Sequence, residues 1–242
     1  MEKFDPIGAQ TTAEVVKISA ETVSHITKDV SDNSIEAVRG FLSKTCLPAL
    51  EQLGFLLGDK VRAWRLNNMV RVIEKAQGKI HFDPEKESLS LNPRVVIETI
   101  ENASLCDDEE LQNMWAGLIA SSSQTGERNI IFIQLLKKLT STQAAFLDYI
   151  VKNSKVRGDK GLLIGSDIEI NIKTLYEIFK TTDIEEIDIE LDHLYSIQLT
   201  DGRFILGESN NVITINATAL CLNLYMRANG FGGRLTEFYT TN

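Results

Sequence analysis

The side chains of this chain best placed to do chemistry are cations set around a tryptophan. Between residues 41 and 82, seven Lys or Arg (Lys44, Lys60, Arg62, Arg65, Arg71, Lys75, Lys79) stand against three carboxylates (Glu51, Asp59, Glu74), a local excess of four positive charges in a chain of net charge −9. Lys60, Arg62, Trp64, Arg65, Arg71 and Lys75 form the candidate binding set for a protein partner or a lipid surface. On a helical wheel Val61, Leu66, Met69, Val70, Val72, Ile73 and Ala76 share one broad side, whereas Trp64 falls with Lys60, Asn67, Asn68, Arg71 and Lys75 on the other. Two readings follow. In one, a second layer such as the acidic segment Asp107–Glu110 covers Trp64 and pairs with the cations. In the other, the aromatic is exposed and contacts anionic headgroups, nucleic acid or a partner protein.

Other chemistries lack their residue sets. The chain has no G-x-x-x-x-G-K-[ST], no G-x-G-x-x-G after a strand, no G-x-S-x-G and no H-E-x-x-H. His25, His81 and His193 lie in separate segments, each read as a surface or satisfied core imidazole. Four consecutive carboxylates, Asp107 to Glu110, point in different directions from a helix, and no second acidic cluster is placed to complete a cation site. Their structural role is to start a helix, stabilised by its dipole. The sequence therefore predicts no enzyme, no metal and no cofactor.

Composition sets further bounds. The chain has 242 residues, 43% of them hydrophobic, enough for a substantial core in one or two domains. Its acidity argues against general nucleic-acid binding, since phosphate affinity comes from Lys and Arg releasing counterions. Cys46, Cys106 and Cys221 are odd in number and far apart, as expected of reduced, mostly buried thiols. MEKFDPIGAQ lacks the regions of a signal peptide, and no stretch approaches the roughly 18–20 apolar residues that span a bilayer. The expected location is the cytoplasm, with peripheral attachment to the inner membrane as a variant.

The elements that must position the candidate set are mostly helices. Residues 11–31 carry a Val15, Val16, Val23, Ile26, Val30 stripe, and a Pro48-bounded apolar helix runs through Leu57. The basic segment is helical from Asp59 to Gln77 and closes at Gly78; KIHFDPEKESLSLNP is a polar connector before a helix over Arg94–Glu101. Asp107-x-x-Glu110 starts the next helix, with Leu111, Met114, Trp115, Leu118 and Ile119 on one face, and SSSQTGERN reads as a loop before a helix over Ile130–Leu139. From Ser141 the order becomes helix, helix, helix, two-stranded wing around Ser209-Asn210-Asn211, and a closing helix ending at Gly230. The expected fold is mainly α: a helical domain over residues 1–140 followed by a small winged-helix-like α+β domain over residues 141–242. The module's candidate recognition helix, Asp183–Leu194, has six carboxylates and no Lys or Arg, which argues against DNA and leaves a protein contact or a simply structural use of the winged fold.

Two tryptophan blocks carry a family resemblance. Gly58, Asp59, Trp64, Arg65 and Leu66 match a G-D-x-x-x-x-W-R-L block, and Asp107, Asp108, Glu109, Glu110, Leu111, Gln112, Trp115, Ala116 and Leu118 match D-D-E-E-L-Q-x-x-W-A-x-L. Together with the ITINATALCLNLYMRANG ending, these blocks resemble the abortive infection alpha family, a bacterial group linked to phage exclusion, over residues 45–230. The resemblance implies antiviral defence and supplies no reaction. The Arg-x-His spacing of one defence ribonuclease class is absent. The expected function is a non-enzymatic sensor or adaptor acting through a protein or lipid partner, with self-association open. The alternative is a peripheral membrane-acting effector inserting its 47–57 segment, and a third reading is an enzyme whose carboxylates or histidines converge only in the folded protein.

Overall fold

The computed structural model of the protein describes residues 32–46, 49, 60–80, 91–159, 162–202 and 212–241. The amphipathic stretch 11–31, the apolar segment 47–57 apart from Ala49, most of the polar connector and the tip of the expected wing lie outside them. Among the described residues the protein is mainly α, with a small α+β portion at the carboxy-terminal end.

The helices begin and end where side chains satisfy their free backbone groups. α1 spans Asp32–Thr45 and α2 spans Lys60–Lys79. In α3, Pro93–Ala103, the Asn92 side chain accepts from Val95 N, and Pro93 occupies a first-turn position where no N–H is needed. Asp108 caps α4, Glu109–Thr125, by accepting from Leu111 N, with Glu109 and Glu110 in the dipole-favoured first turn. Thr140 and Gln143 form a reciprocal capping box at the start of α6, Ser141–Asn153.

α4 lies at the centre. It packs on α2 and α3, on the short helix α5 (Ile130–Leu136), on α6 and on the late helix α9, Ala219–Ala228. The expected one-sided face on α4 is therefore widened, because Ala116, Gly117, Ala120, Ser121 and Ser122 are buried along with Trp115, Leu118 and Ile119. The expected SSSQTGERN loop is also corrected. α4 continues through Thr125, since Ser122, Ser123 and Thr125 donate back to the carbonyls of Ile119, Ala120 and Ser121, and a short 3-10 turn, Gly126–Asn129, leads into α5. Buried Asn129 then closes the end of α4 by donating to Leu118 O and Ser121 Oγ, both at 2.8 Å, and accepting from Thr125 Oγ1 at 3.0 Å.

After α6, β1 (Val156–Asp159) and β2 (Leu162–Gly165) form an antiparallel hairpin that the sequence reading did not anticipate. β3 (Ile168–Asn171), α7 (Ile172–Phe179), α8 (Ile184–Ser196), β4 (Thr200–Asp201), β5 (Val212–Ala217) and α9 follow, then α10 (Leu235–Thr241). β5 lies between β3 and β4, antiparallel to both, with Ile168 opposite Ile215 and Thr200 opposite Ala217. Ile213, Ile215 and Ala217 alternate inward along β5, so one sheet face joins the core and the other is left to solvent.

The hydrophobic core is continuous across residue 140, from Val38 and Leu42 on α1 through Leu118 and Phe146 to Leu222 and Leu224 on α9. The α4–α9 crossing is close: a Cβ placed on Gly117 would lie 1.7 Å from Ala228 O, so only glycine fits there. Ser121 Oγ reinforces the contact by donating to Arg227 O at 3.3 Å.

Candidate functional site

Two regions bring chemically active side chains together: the outer face of α2 predicted from the sequence, and a cleft that the sequence reading missed.

On α2, Leu66, Met69, Val70, Val72, Ile73 and Ala76 are fully buried, as the wheel requires. Asn67 and Asn68, expected on the polar face, are buried as well, and the turn after α3 lies over Asn68. Asn68 Nδ2 donates to Ser104 O at 3.2 Å, and Arg65 Nε donates to Ser104 Oγ at 3.1 Å. One end of the polar face is thus fastened to α3. Lys75 reaches the start of α4, where its Nζ lies 3.6 Å from Glu109 Oε1 and 3.5 Å from Glu109 O. The expected pairing of the basic helix with the acidic segment is partly made, and Asp108 is used as a helix cap.

This second layer covers the tryptophan only in part. Trp64 is 38% exposed, and Leu105, next to the Ser104 that binds Arg65 and Asn68, is 59% exposed. The two apolar side chains flank the Arg65 contact, with half-buried Arg71 farther along α2. Lys60 and Arg62 occupy the first turn of α2, and their side chains lie outside the described ones. Of the six candidate residues, Arg65 and Lys75 are engaged with neighbouring helices, whereas Trp64 and Arg71 face outward to differing degrees.

The cleft, of about 370 Å³, lies where the end of α2, the start of α4, α6 and the end of α9 converge. Met114, Leu147 and Leu224 supply apolar lining, and Lys79, Glu110, Asp148, Lys152, Tyr225 and Asn229 supply the polar groups. Lys152 Nζ lies 2.7 Å from Asp148 Oδ2, one helical turn away on α6. Tyr225 Oη, from α9, donates to Asp148 Oδ1 at 3.3 Å. The Asp148 hydrogen bond raises the Lys152 pKa. Burial, aided by the Asp148 charge, raises that of Tyr225, so the phenol stays protonated as the donor. Lys79 is shifted the other way, lowered chiefly by burial and then by Lys75. The Cys221 thiol, also on the cleft wall, is buried and pushed up to about 12 by loss of solvent.

No sequence motif announces this cleft, because its groups come from helices that are distant in the chain. The single local signal is the i, i+4 spacing of Asp148 and Lys152. Among the described residues no group of three or more His, Cys, Asp or Glu is placed to hold a metal ion. His193 is half-buried and already engaged: its Nδ1 lies 2.8 Å from Gln143 Nε2, joining α8 to the capping box of α6. His25 and His81 lie outside the described residues.

Comparison with known proteins gives one match. The model of the family described as abortive infection alpha matches residues 62–211, more than half of the chain, from the first turn of α2 to the edge of β5. No curated protein and no solved structure matches. The extent of the family match, which takes in both tryptophan helices, makes this chain a member of the abortive infection alpha family.

Proposed function

We propose that the protein serves the anti-phage response for which its family is named as a non-enzymatic sensor or adaptor, working through the outer face of α2. The observation that carries this reading is the exposure of Trp64 and Leu105, the chain neighbours of the bonded pair Arg65 and Ser104, with half-buried Arg71 farther along the helix. A large aromatic and a leucine left at the surface among guanidinium groups are the side chains that anchor protein interfaces, where Trp and Arg contribute disproportionately. Support against covalent chemistry comes from the carboxylates: Asp148 is occupied by Lys152 and Tyr225, and Glu109 pairs with Lys75.

The carboxy-terminal unit fits this role as a winged helix turned from nucleic acid to protein. What supports this reading is the order α6, the β1–β2 hairpin, β3, α7, α8, β4 and β5, with β5 between β3 and β4; on it α8 would be the recognition helix. Glu185, Asp188 and Asp192 give α8 a negative surface, and Ile189 stands 69% exposed among them. A phosphate backbone would be repelled there, whereas a protein with a basic, apolar surface would be attracted.

Phage plating and survival of infected cultures test the proposal with wild type, Trp64→Ala and Trp64→Ala/Arg71→Glu. These substitutions spare the Arg65 and Lys75 contacts that hold α2 in place. Protection by wild type and its loss in variants of unchanged thermal stability is the expected result; equal protection by the folded double variant overturns the α2 assignment. Co-sedimentation with anionic vesicles separates a lipid surface from a protein partner.

A further inference from the structure

We propose that a second copy of this chain is the protein that α8 meets, with α5 of each copy lying on α8 of the other in a two-fold dimer. Two helix faces of opposite charge carry the inference. On α5, Ile131 is 62% exposed, with half-buried Leu135 one turn farther on. Arg128 lies one turn before Ile131 and Lys138 two turns after it, spacings that keep both cations on its side of the helix. With Lys137 they stand against Glu127, an excess of two positive charges, and all three cations are exposed. None of the three has an ion pair among the described residues. On α8, Ile189 is 69% exposed between exposed Glu185, Glu186 and Asp192, and the helix has no Lys or Arg. A lone exposed isoleucine is ordinary. Two of them, each set among charges of one sign and with the signs opposite, make complementary halves of one interface.

One copy does not close this contact on itself. Thr140 Oγ1, just past α5, donates to Glu190 Oε2 of α8 at 3.1 Å, and Gln143 Nε2 donates to Glu190 O at 3.1 Å, so the chain leaving α5 abuts α8. Ile131 and Ile189 nevertheless both stay exposed. A two-fold axis satisfies both faces at once, because it places α5 of one copy on α8 of the other and repeats the contact in reverse. Specific interfaces bury about 1,200 Å² or more in total, and making the contact twice brings two short helices toward that area. The net charge of −9 opposes association of copies in general. The segregation of positive charge onto α5 therefore sets which surfaces can meet.

This inference rests on the reading of α8 as a protein contact and leaves the α2 face out. Its test reads mass alone, so loss of the dimer and loss of phage protection are separate failures. Sedimentation velocity of the full chain, from low to high micromolar concentration, is run on the wild type and on two charge-reversed variants, Arg128→Glu/Lys138→Glu on α5 and Glu185→Lys/Asp192→Lys on α8. The expected result is a reversible wild-type dimer, weakened at least about tenfold in each variant alone, where like charges meet. Equimolar mixing of the two variants should restore a dimer, because each reversed helix then faces an opposite charge on its partner. Ile131→Ala/Ile189→Ala, which alters no charge, should weaken the wild-type dimer by a similar factor. Thermal melts confirm that each variant is folded. A monomeric wild type throughout the range overturns the proposal, as does a mixture of folded charge variants that stays monomeric. Wild-type affinity in the folded alanine variant also overturns it, and growth into open chains overturns the two-fold arrangement.

Discussion

Trp64 and Trp115 occupy opposite environments on helices that touch: the first is 38% exposed, the second 3%. In a Trp115→Phe variant, fluorescence should come from Trp64 alone and be quenched more strongly by iodide than by caesium, since Arg65 and Arg71 concentrate anions. Equal quenching by the two ions would mean that the cations do not surround the indole. Placement of Trp64 away from the apolar stripe was legible from helical spacing. The burial of Asn68 was not, because nothing in α2 itself reveals that the turn at Ser104 lies across it. Cysteine chemistry gives a second test. The Cys221 thiol stays protonated in the folded protein until about pH 12 but ionises near its ordinary value when unfolded, so its contribution to stability is present below roughly pH 8.5 and is lost as pH rises above it. Alkylation at pH 8 followed by peptide mass spectrometry should find half-buried Cys106 modified before Cys221, with Cys221 reacting only after denaturant is added. Modification of Cys221 at the same rate as Cys106 would show that the α9 wall opens readily.

At the scale of elements, the sequence was most readable where side chains satisfy backbone groups locally. Asp108 at the start of α4, the Thr140 and Gln143 capping box of α6 and Gly230 after α9 all stand where the chain pattern places a boundary. Short strands were less readable: β1 and β2 have four residues each, too few for alternation to emerge. The end of α4 was misread for a related reason. Serines favour loops until their hydroxyls find carbonyls on the preceding turn, as Ser122 and Ser123 do. Asn129→Ala should cost about 2–3 kcal/mol, since it leaves buried Leu118 O and Ser121 Oγ without their donor, measurable by urea unfolding. Gly117→Ala should cost about 3 kcal/mol, or roughly 6–12 °C in Tm, by driving α9 off α4. A change under about 0.5 kcal/mol would mean that the crossing relaxes at little expense.

For the whole molecule, the continuous core predicts one cooperative unfolding transition by calorimetry, even though the chain pattern changes character near residue 141. Two resolved transitions would instead assign separate stabilities to the segments before and after α6. The cleft depends on the same continuity: Lys79 and Glu110 meet Asp148 and Tyr225 only because α9 returns to the amino-terminal helices, which is why a linear reading could not assemble it. That return also has a cost in time. Ser121 and Arg227, bonded at the α4–α9 crossing, are 106 residues apart in the chain. At synthesis rates of about 5–20 residues per second, roughly 5–20 s separate the emergence of the two from the ribosome. Throughout that interval the apolar flank of α4 has no α9 to cover it, so nascent chains should engage holdase chaperones while they wait, and shortage of those chaperones should lower the yield of native protein before it affects any binding surface.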